Sequence, residues 1–202
     1  FSGDFLVNPG DFNFSFNPPQ DLYRSLFLWD HFQSMGVMDS MAVFKVFPYN
    51  ILLAGLYSLG LTLSTCLKVL FFFLITISSI SAYTLIRHFF PAREHLMAAF
   101  IGANFYTFNT YLMQFGWGSG YIMGMFFYAA FPLIIFFWHK VKESGESRHI
   151  IGFVFALSLS LPSLNNPVYL VPLLVYIVLD SVFTFSGLTG SSAKQRFSMY
   201  AK

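Results

Sequence analysis

The sequence predicts an all-α fold: a polytopic transmembrane helical bundle, preceded by an extracytoplasmic loop that carries short juxtamembrane helices. Three observations predict it. Of the 202 residues, 56% are hydrophobic, 28 are Phe, only 10% are charged, and the mean hydropathy is +0.62. A water-soluble domain would carry about 25% charge. Beyond residue 66, apolar runs of spanning length recur, since about 20 helical residues match a hydrocarbon core of about 30 Å. The cations between those runs fall in alternate connections, as they do when one side of a membrane retains them. The net charge of +2 is too small to suggest nucleic acid. Cys66 is the one cysteine, so there is no disulfide framework and no paired-cysteine metal spacing, and it reads as a small buried hydrophobe.

Residues 1–45 form the expected extracytoplasmic loop. Five of the nine acidic residues lie there, Asp4, Asp11, Asp21, Asp30 and Asp39, against Arg24 and Lys45. Asn8-Pro9-Gly10, Asn17-Pro18-Pro19 and Met35-Gly36 are turn signals. Leu22, Leu26, Trp29 and Phe32 then follow helical spacing, predicting an amphipathic helix over 21–35 that lies on the membrane surface. Residues 46–66 are apolar but interrupted by Pro48, Gly55 and Gly60, predicting a juxtamembrane or re-entrant helix over 49–58 rather than a span.

Five spans are expected over 67–185, at 67–86, 96–113, 121–138, 150–161 and 168–185, with a cytoplasmic tail over 186–202. Arg87 and Arg93, then Lys140, Lys142 and Arg148, then Lys194, Arg196 and Lys202 occupy alternate connections. The connections at 116–120 and 162–167 carry no cation. This pattern places residues 1–45 outside a cell membrane and the basic connections in the cytoplasm. The chain does not begin with Met and shows no signal peptide, so it reads as a fragment that lacks at least one upstream span.

No phosphate-binding loop, zinc-protease helix, nucleophile elbow or basic-aromatic strand pattern is present. The groups available for chemistry are the loop acids. Asp4 and Asp11 stand in Gly3-Asp4-Phe5 and Gly10-Asp11-Phe12, where glycine permits a tight turn that leaves the carboxylate accessible. Such an acid serves as a general base or as a ligand to a divalent cation, or it simply bonds its own backbone in a turn. Asn104, Asn109 and Gln114 either line a cavity or bond neighbouring helices. Asn165, Asn166 and Tyr169, at an outer break, either contact sugar hydroxyls or form a plain turn. Asp180 is expected to pair with the basic tail. The histidines belong to separate connections, which argues against a metal cluster, and Trp29, Trp117 and Trp138 fit an interfacial aromatic belt.

The Gly-Asp-Phe loop, the Asn-Pro segment, Leu28-Trp29-Asp30, Pro48 and Gly55-Leu56-Tyr57-Ser58-Leu59-Gly60 together resemble the layout of polytopic GT-C glycosyltransferases. The similarity lies nearest the YfhO-like and arabinofuranosyltransferase-like groups and covers about the first 180 residues. The resemblance implies an inverting transfer from a polyprenyl-phosphate-linked sugar donor to a glycan or lipid acceptor. It implies an acidic catalytic residue in the first external loop, falling on Asp11 or Asp4, and leaves open a divalent cation such as Mg or Mn. The chain departs from the pattern in lacking the first span and an adjacent pair of acids. A second reading, from the residues alone, is a transporter or non-enzymatic scaffold with a discontinuous helix near Pro162 to Pro167.

Overall fold

Asn17-Pro18-Pro19 starts a helix instead of a turn. In the computed structural model, which describes residues 17–27, 29–30, 37–38, 46–110, 112, 114, 122–164 and 167–185, α1 runs Pro18–Ser25. The Asn17 side chain caps it by accepting from the Gln20 amide, and proline at the first position forfeits no helical bond. The helix expected over 21–35 is therefore corrected at both ends. Leu26 and Phe27 bond back to the Tyr23 and Arg24 carbonyls in a tightened last turn. Trp29–Asp30 (β1) then pairs antiparallel with Val37–Met38 (β2), which takes that stretch out of the helix.

The segment Val46–Asn50, in which Phe47 is extended (φ -117°, ψ 135°) and kinks the chain, leads into α2, Ile51–Ser58, so the short helix expected over 49–58 is present. Gly60, at φ +86°, turns the chain. Thr62 then caps α3, Leu63–Phe89, whose 27 residues extend about 40 Å at 1.5 Å each. At its far end the Arg87 guanidinium donates to the carbonyls of Phe90, Pro91 and Ala92, closing the helix.

After a 3₁₀ turn at Arg93–His95, α4 runs Leu96–Thr107. Its 12 residues cover about 18 Å, short of a hydrocarbon core, which corrects the span expected over 96–113. The cause is local: Phe108 leaves helical geometry and Asn109 starts a new turn, its Oδ1 accepting from the Leu112 amide. Helix α5 is Ile122–Ser144 with Pro132 inside it. Gly145, at φ +63°, makes the turn to α6, Ser147–Leu164, which continues through Pro162 where a break was expected. Helix α7 is Pro167–Phe185.

Among the described residues the fold is thus helical apart from one two-residue pairing. Two helices among the described residues are long and apolar enough to cross a membrane, Leu63–Phe89 and Gly124–Ser144. Only 28% and 44% of their apolar windows are buried inside the protein, whereas a core helix of a soluble domain is mostly covered. The remaining apolar side chains face outward on every outer helix. Phe72 of α3 is 71% exposed and Phe105 of α4 75%, and Ile151, Phe155, Val168, Val175 and Phe183 follow the same pattern on α6 and α7.

Helix α5 is the centre of the bundle. Phe126 and Met125 pack with Leu53 of α2 and with Leu67, Leu70 and Leu74 of α3. Phe127, Ala130 and Ile134 pack with Ala156 and Leu159 of α6 and Leu173 of α7. Helix α4 lies on α3 through Ala99 and Ala103, whose small side chains bring the two backbones close.

At the α5–α6 contact, a Cβ on Gly152 would meet three atoms of the Phe137 ring inside any real contact distance. Gly152→Ala is expected to destabilise the bundle by about 1–3 kcal/mol through overpacking. Gly55→Ala, which meets nothing within 4 Å on exposed α2, should raise stability by about 0.5–1 kcal/mol. Unfolding of the two variants in detergent, followed by circular dichroism, checks the pair.

Candidate functional site

Polar groups collect at three levels of the bundle. The first is formed by the C-terminal parts of α3, α5 and α7. His88 Nε2 lies 3.5 Å from Glu143 Oε1, and Lys140 Nζ 2.8 Å from Glu143 Oε2. His139 Nε2 and Tyr176 Oη are 2.8 Å apart, and the His88 and His139 ring centroids 6.1 Å. The Asp180 carboxylate accepts from Trp138 Nε1 at 2.6 Å and from Lys142 Nζ at 2.5 Å. Phe89 and Phe136 wall this cluster with edge-to-face contacts on the imidazoles.

Asp180, expected to pair with the tail, bonds Lys142 on α5; the tail residues Lys194, Arg196 and Lys202, and with them that expectation, lie outside the described residues. One sequence expectation changes here. His88 and His139, which belong to different connections in the sequence, are neighbours in the fold. Among the described residues, no three of His, Cys, Asp and Glu converge as a metal site. Arg87, Arg93, Lys140, Lys142 and Arg148 all belong to this end, together with Glu94, Glu143, Glu146 and Asp180. Five of the seven described Lys and Arg residues thus lie at this end, Arg24 and Lys68 lying toward the other, and acids offset most of the charge of the five.

The second level lies partway up the bundle, between α4 and α5. Pro132 has no amide proton for the carbonyl four residues earlier, which belongs to Tyr128. The hydroxyl of Tyr106 on α4 donates to that carbonyl at 2.8 Å, and the Tyr128 hydroxyl donates back to the Tyr106 carbonyl at 2.6 Å. The two rings stack, with centroids 4.2 Å apart and planes 16° from parallel. Asn109 completes the arrangement, its amide reaching the Tyr106 carbonyl at 2.8 Å and the Tyr128 hydroxyl at 2.7 Å. On the α3 side, Ser79 and Thr107 share a 2.9 Å hydrogen bond, and Ser81 Oγ donates to the Ala129 carbonyl at 2.7 Å.

The third level is the opposite end. Asn50 Nδ2 donates to Ser25 Oγ at 2.7 Å, which in turn donates to the Asp21 carbonyl, fastening α1 to the start of α2. Tyr49 stacks edge-on against Phe126, and burial with the nearby Asp21 carboxylate pushes its phenol far above the ordinary range. Ser163 Oγ accepts from the Phe127 amide at 2.9 Å, tying α6 to α5.

The expected site residues divide accordingly. Asp4, Asp11, Asn165 and Asn166 lie outside the described residues, as do His31 and Trp117. Asn109 is used in capping and in the tyrosine pair. Tyr169 packs on Phe127, with centroids 5.5 Å apart. Since Phe127 and Tyr128 are adjacent and point to different faces of α5, Asn109 and Tyr169 are not brought together. Asn104 bonds back to the Phe100 carbonyl on its own helix. Tyr106, Tyr128 and Ser163 went unnoticed in the sequence, although Pro132 four residues after Tyr128 is a readable signal for an orphaned carbonyl. No protein-family model, curated protein or solved structure matches the chain.

If Tyr106 compensates for Pro132, the two substitutions are coupled. Tyr106→Phe alone should cost about 0.5–1.5 kcal/mol. In a Pro132→Ala background, where an amide at 132 again serves the Tyr128 carbonyl, the same change should cost close to nothing. A double-mutant cycle on unfolding free energies measures that coupling.

Proposed function

We propose that the chain is the membrane-embedded part of a GT-C-type glycosyltransferase. It transfers a sugar, with inversion, from a polyprenyl-phosphate-linked donor to a glycan or lipid acceptor at the bundle end away from Lys140, Lys142 and Arg148. Asp11, or Asp4, acts there as general base toward the acceptor hydroxyl or as ligand to a divalent cation.

The observation that supports a surface reaction is the distribution of charge. Among the described residues, α4 has no Asp, Glu, Lys, Arg or His, and neither do α3 between Lys68 and Arg87, α5 before His139, α6 after His149 or α7 before Asp180. Charged groups at membrane depth mark ion and substrate pathways, and their absence from the middle of the bundle favours chemistry at a face over passage through the centre. The exposed apolar sides of α3, α4, α6 and α7 favour a bilayer as surroundings, since each large side chain left in water forgoes about 1.5–3 kcal/mol. The transporter or scaffold reading draws on one observation, the interruption at Phe108 and Asn109 partway along the bundle. The Asn109 side chain is already committed to protein partners there.

Assay of the full-length protein in membranes with a polyprenyl-phosphate sugar donor tests the proposal. Loss of the catalytic base is expected to lower transfer by about 10²–10⁴-fold in Asp11→Asn or Asp4→Asn, with membrane insertion intact. Full transfer in both variants removes these acids from the mechanism.

A further inference from the structure

Helix α4 covers only the later part of one face of α3. Thr107, its last residue, shares a 2.9 Å hydrogen bond with Ser79, and a Cβ on Gly102 would lie 2.9 Å from Ile86 Cδ1. Ser79 and Ile86 are two helical turns apart, so they mark one line along α3. Two turns further back the same line reaches Phe72, and one more turn reaches Lys68. Phe108 leaves helical geometry, so α4 does not follow the line that far. Phe72 is accordingly 71% exposed, and Lys68 is exposed next to it. Among the described residues Lys68 makes no ion pair, whereas Arg24, the other described cation toward this end, lies 3.9 Å from Asp21.

We infer that this bare strip of α3 holds the polyprenyl phosphate carrier of the donor, with the phosphate on the Lys68 ammonium and the chain along Phe72 toward the end of α4. The inference rests on the glycosyltransferase reading above and adds where the lipid part of the donor lies. Depth and charge select this occupant. Helix α3 extends about 40 Å, so when it is centred on a hydrocarbon core of about 30 Å, Lys68 falls within about 3 Å of the boundary. Its flexible stem then carries the ammonium to the level of a lipid phosphate. Phe72, about 6 Å deeper, lies in the hydrocarbon, and the Ser79–Thr107 bond closes the strip about 16 Å below Lys68. A neutral lipid would leave the ammonium at this depth without a counter-charge, whereas a phosphate gives it charge-assisted hydrogen bonds. The strip also starts at the bundle end where the transfer is proposed, because α3 runs from there to Arg87.

Photo-crosslinking of the full-length protein in phosphatidylcholine nanodiscs tests this, beside the sugar-transfer assay. The probe is a polyprenyl phosphate with a diazirine near the phosphate end of its chain, and adducts are mapped by mass spectrometry. The adduct is expected on the α3 peptide that contains Phe72. Lys68→Gln should weaken probe binding about tenfold, Lys68→Arg should retain it, and Arg93→Gln at the opposite end should change nothing. Unlabelled polyprenyl phosphate should compete far better than phosphatidylglycerol. Adducts elsewhere, with an unchanged donor KM in Lys68→Gln, overturn the strip as the place of the carrier and leave the glycosyltransferase reading intact. Equal competition by phosphatidylglycerol overturns the carrier as the occupant. Neither transfer nor adduct in the unaltered protein overturns the two together.

Discussion

A helix bundle with apolar flanks has to satisfy its backbone and buried polar groups from within, because the bilayer proposed to surround those flanks offers no partners. The described interior follows that constraint closely. Where Pro132 deprives the Tyr128 carbonyl of its helical donor, Tyr106 supplies a hydroxyl. Ser81 reaches the Ala129 carbonyl one residue further on, and Ser163 takes the Phe127 amide. Each of these bonds joins a different helix to α5, so the same contacts that satisfy the backbone also fix α3, α4 and α6 around it. Small side chains such as Ala99 and Ala103 and the glycine at 152 bring the helices near enough for the bonds to form.

Charge obeys the same rule by staying at the ends. Arg87 is absorbed by three carbonyls beyond α3, Lys142 by Asp180, and Lys140 by Glu143. With Trp138 and Tyr176, these pairs also hold the C-terminal half of α7, a helix whose outward residues from Val168 to Phe183 are apolar and at least half exposed. The proposed division of labour follows: a charge-free middle that acts as scaffold, one end that holds five of the seven described cations, and chemistry at the other.

The sequence made the apolar helices legible because length and hydropathy depend on nothing beyond the local chain. The apolar run read over 67–86 is helical over 63–89 as α3, and that over 168–185 is helical as α7 to within a residue. Errors came where a single residue outweighed the period. Asn17-Pro18-Pro19 looked like a turn yet is a cap followed by first-turn prolines. Leu22, Leu26, Trp29 and Phe32 kept helical spacing beyond Ser25 although the chain there enters a two-residue pairing. Asn109, lost inside an apolar run, stops α4 by capping the turn after it. Proline at 162 was read as a break, but α6 continues through it. Of the candidate site, Asn109 and Tyr169 were picked out for polarity alone; their partners, Tyr128 and Phe127, become visible only once α5 stands between α4 and α7. The meeting of His88 with His139 depends likewise on helix packing.

The central claim is that the two ends of this bundle face opposite compartments across a membrane. Labelling intact cells with a membrane-impermeant maleimide tests it most directly, using single cysteines at Leu59 and Glu146 in a Cys66→Ser background. Both positions are exposed, one at each end. Opposite compartments predict that Leu59→Cys is labelled in intact cells and Glu146→Cys only after permeabilisation. Equal labelling at the two positions would contradict it.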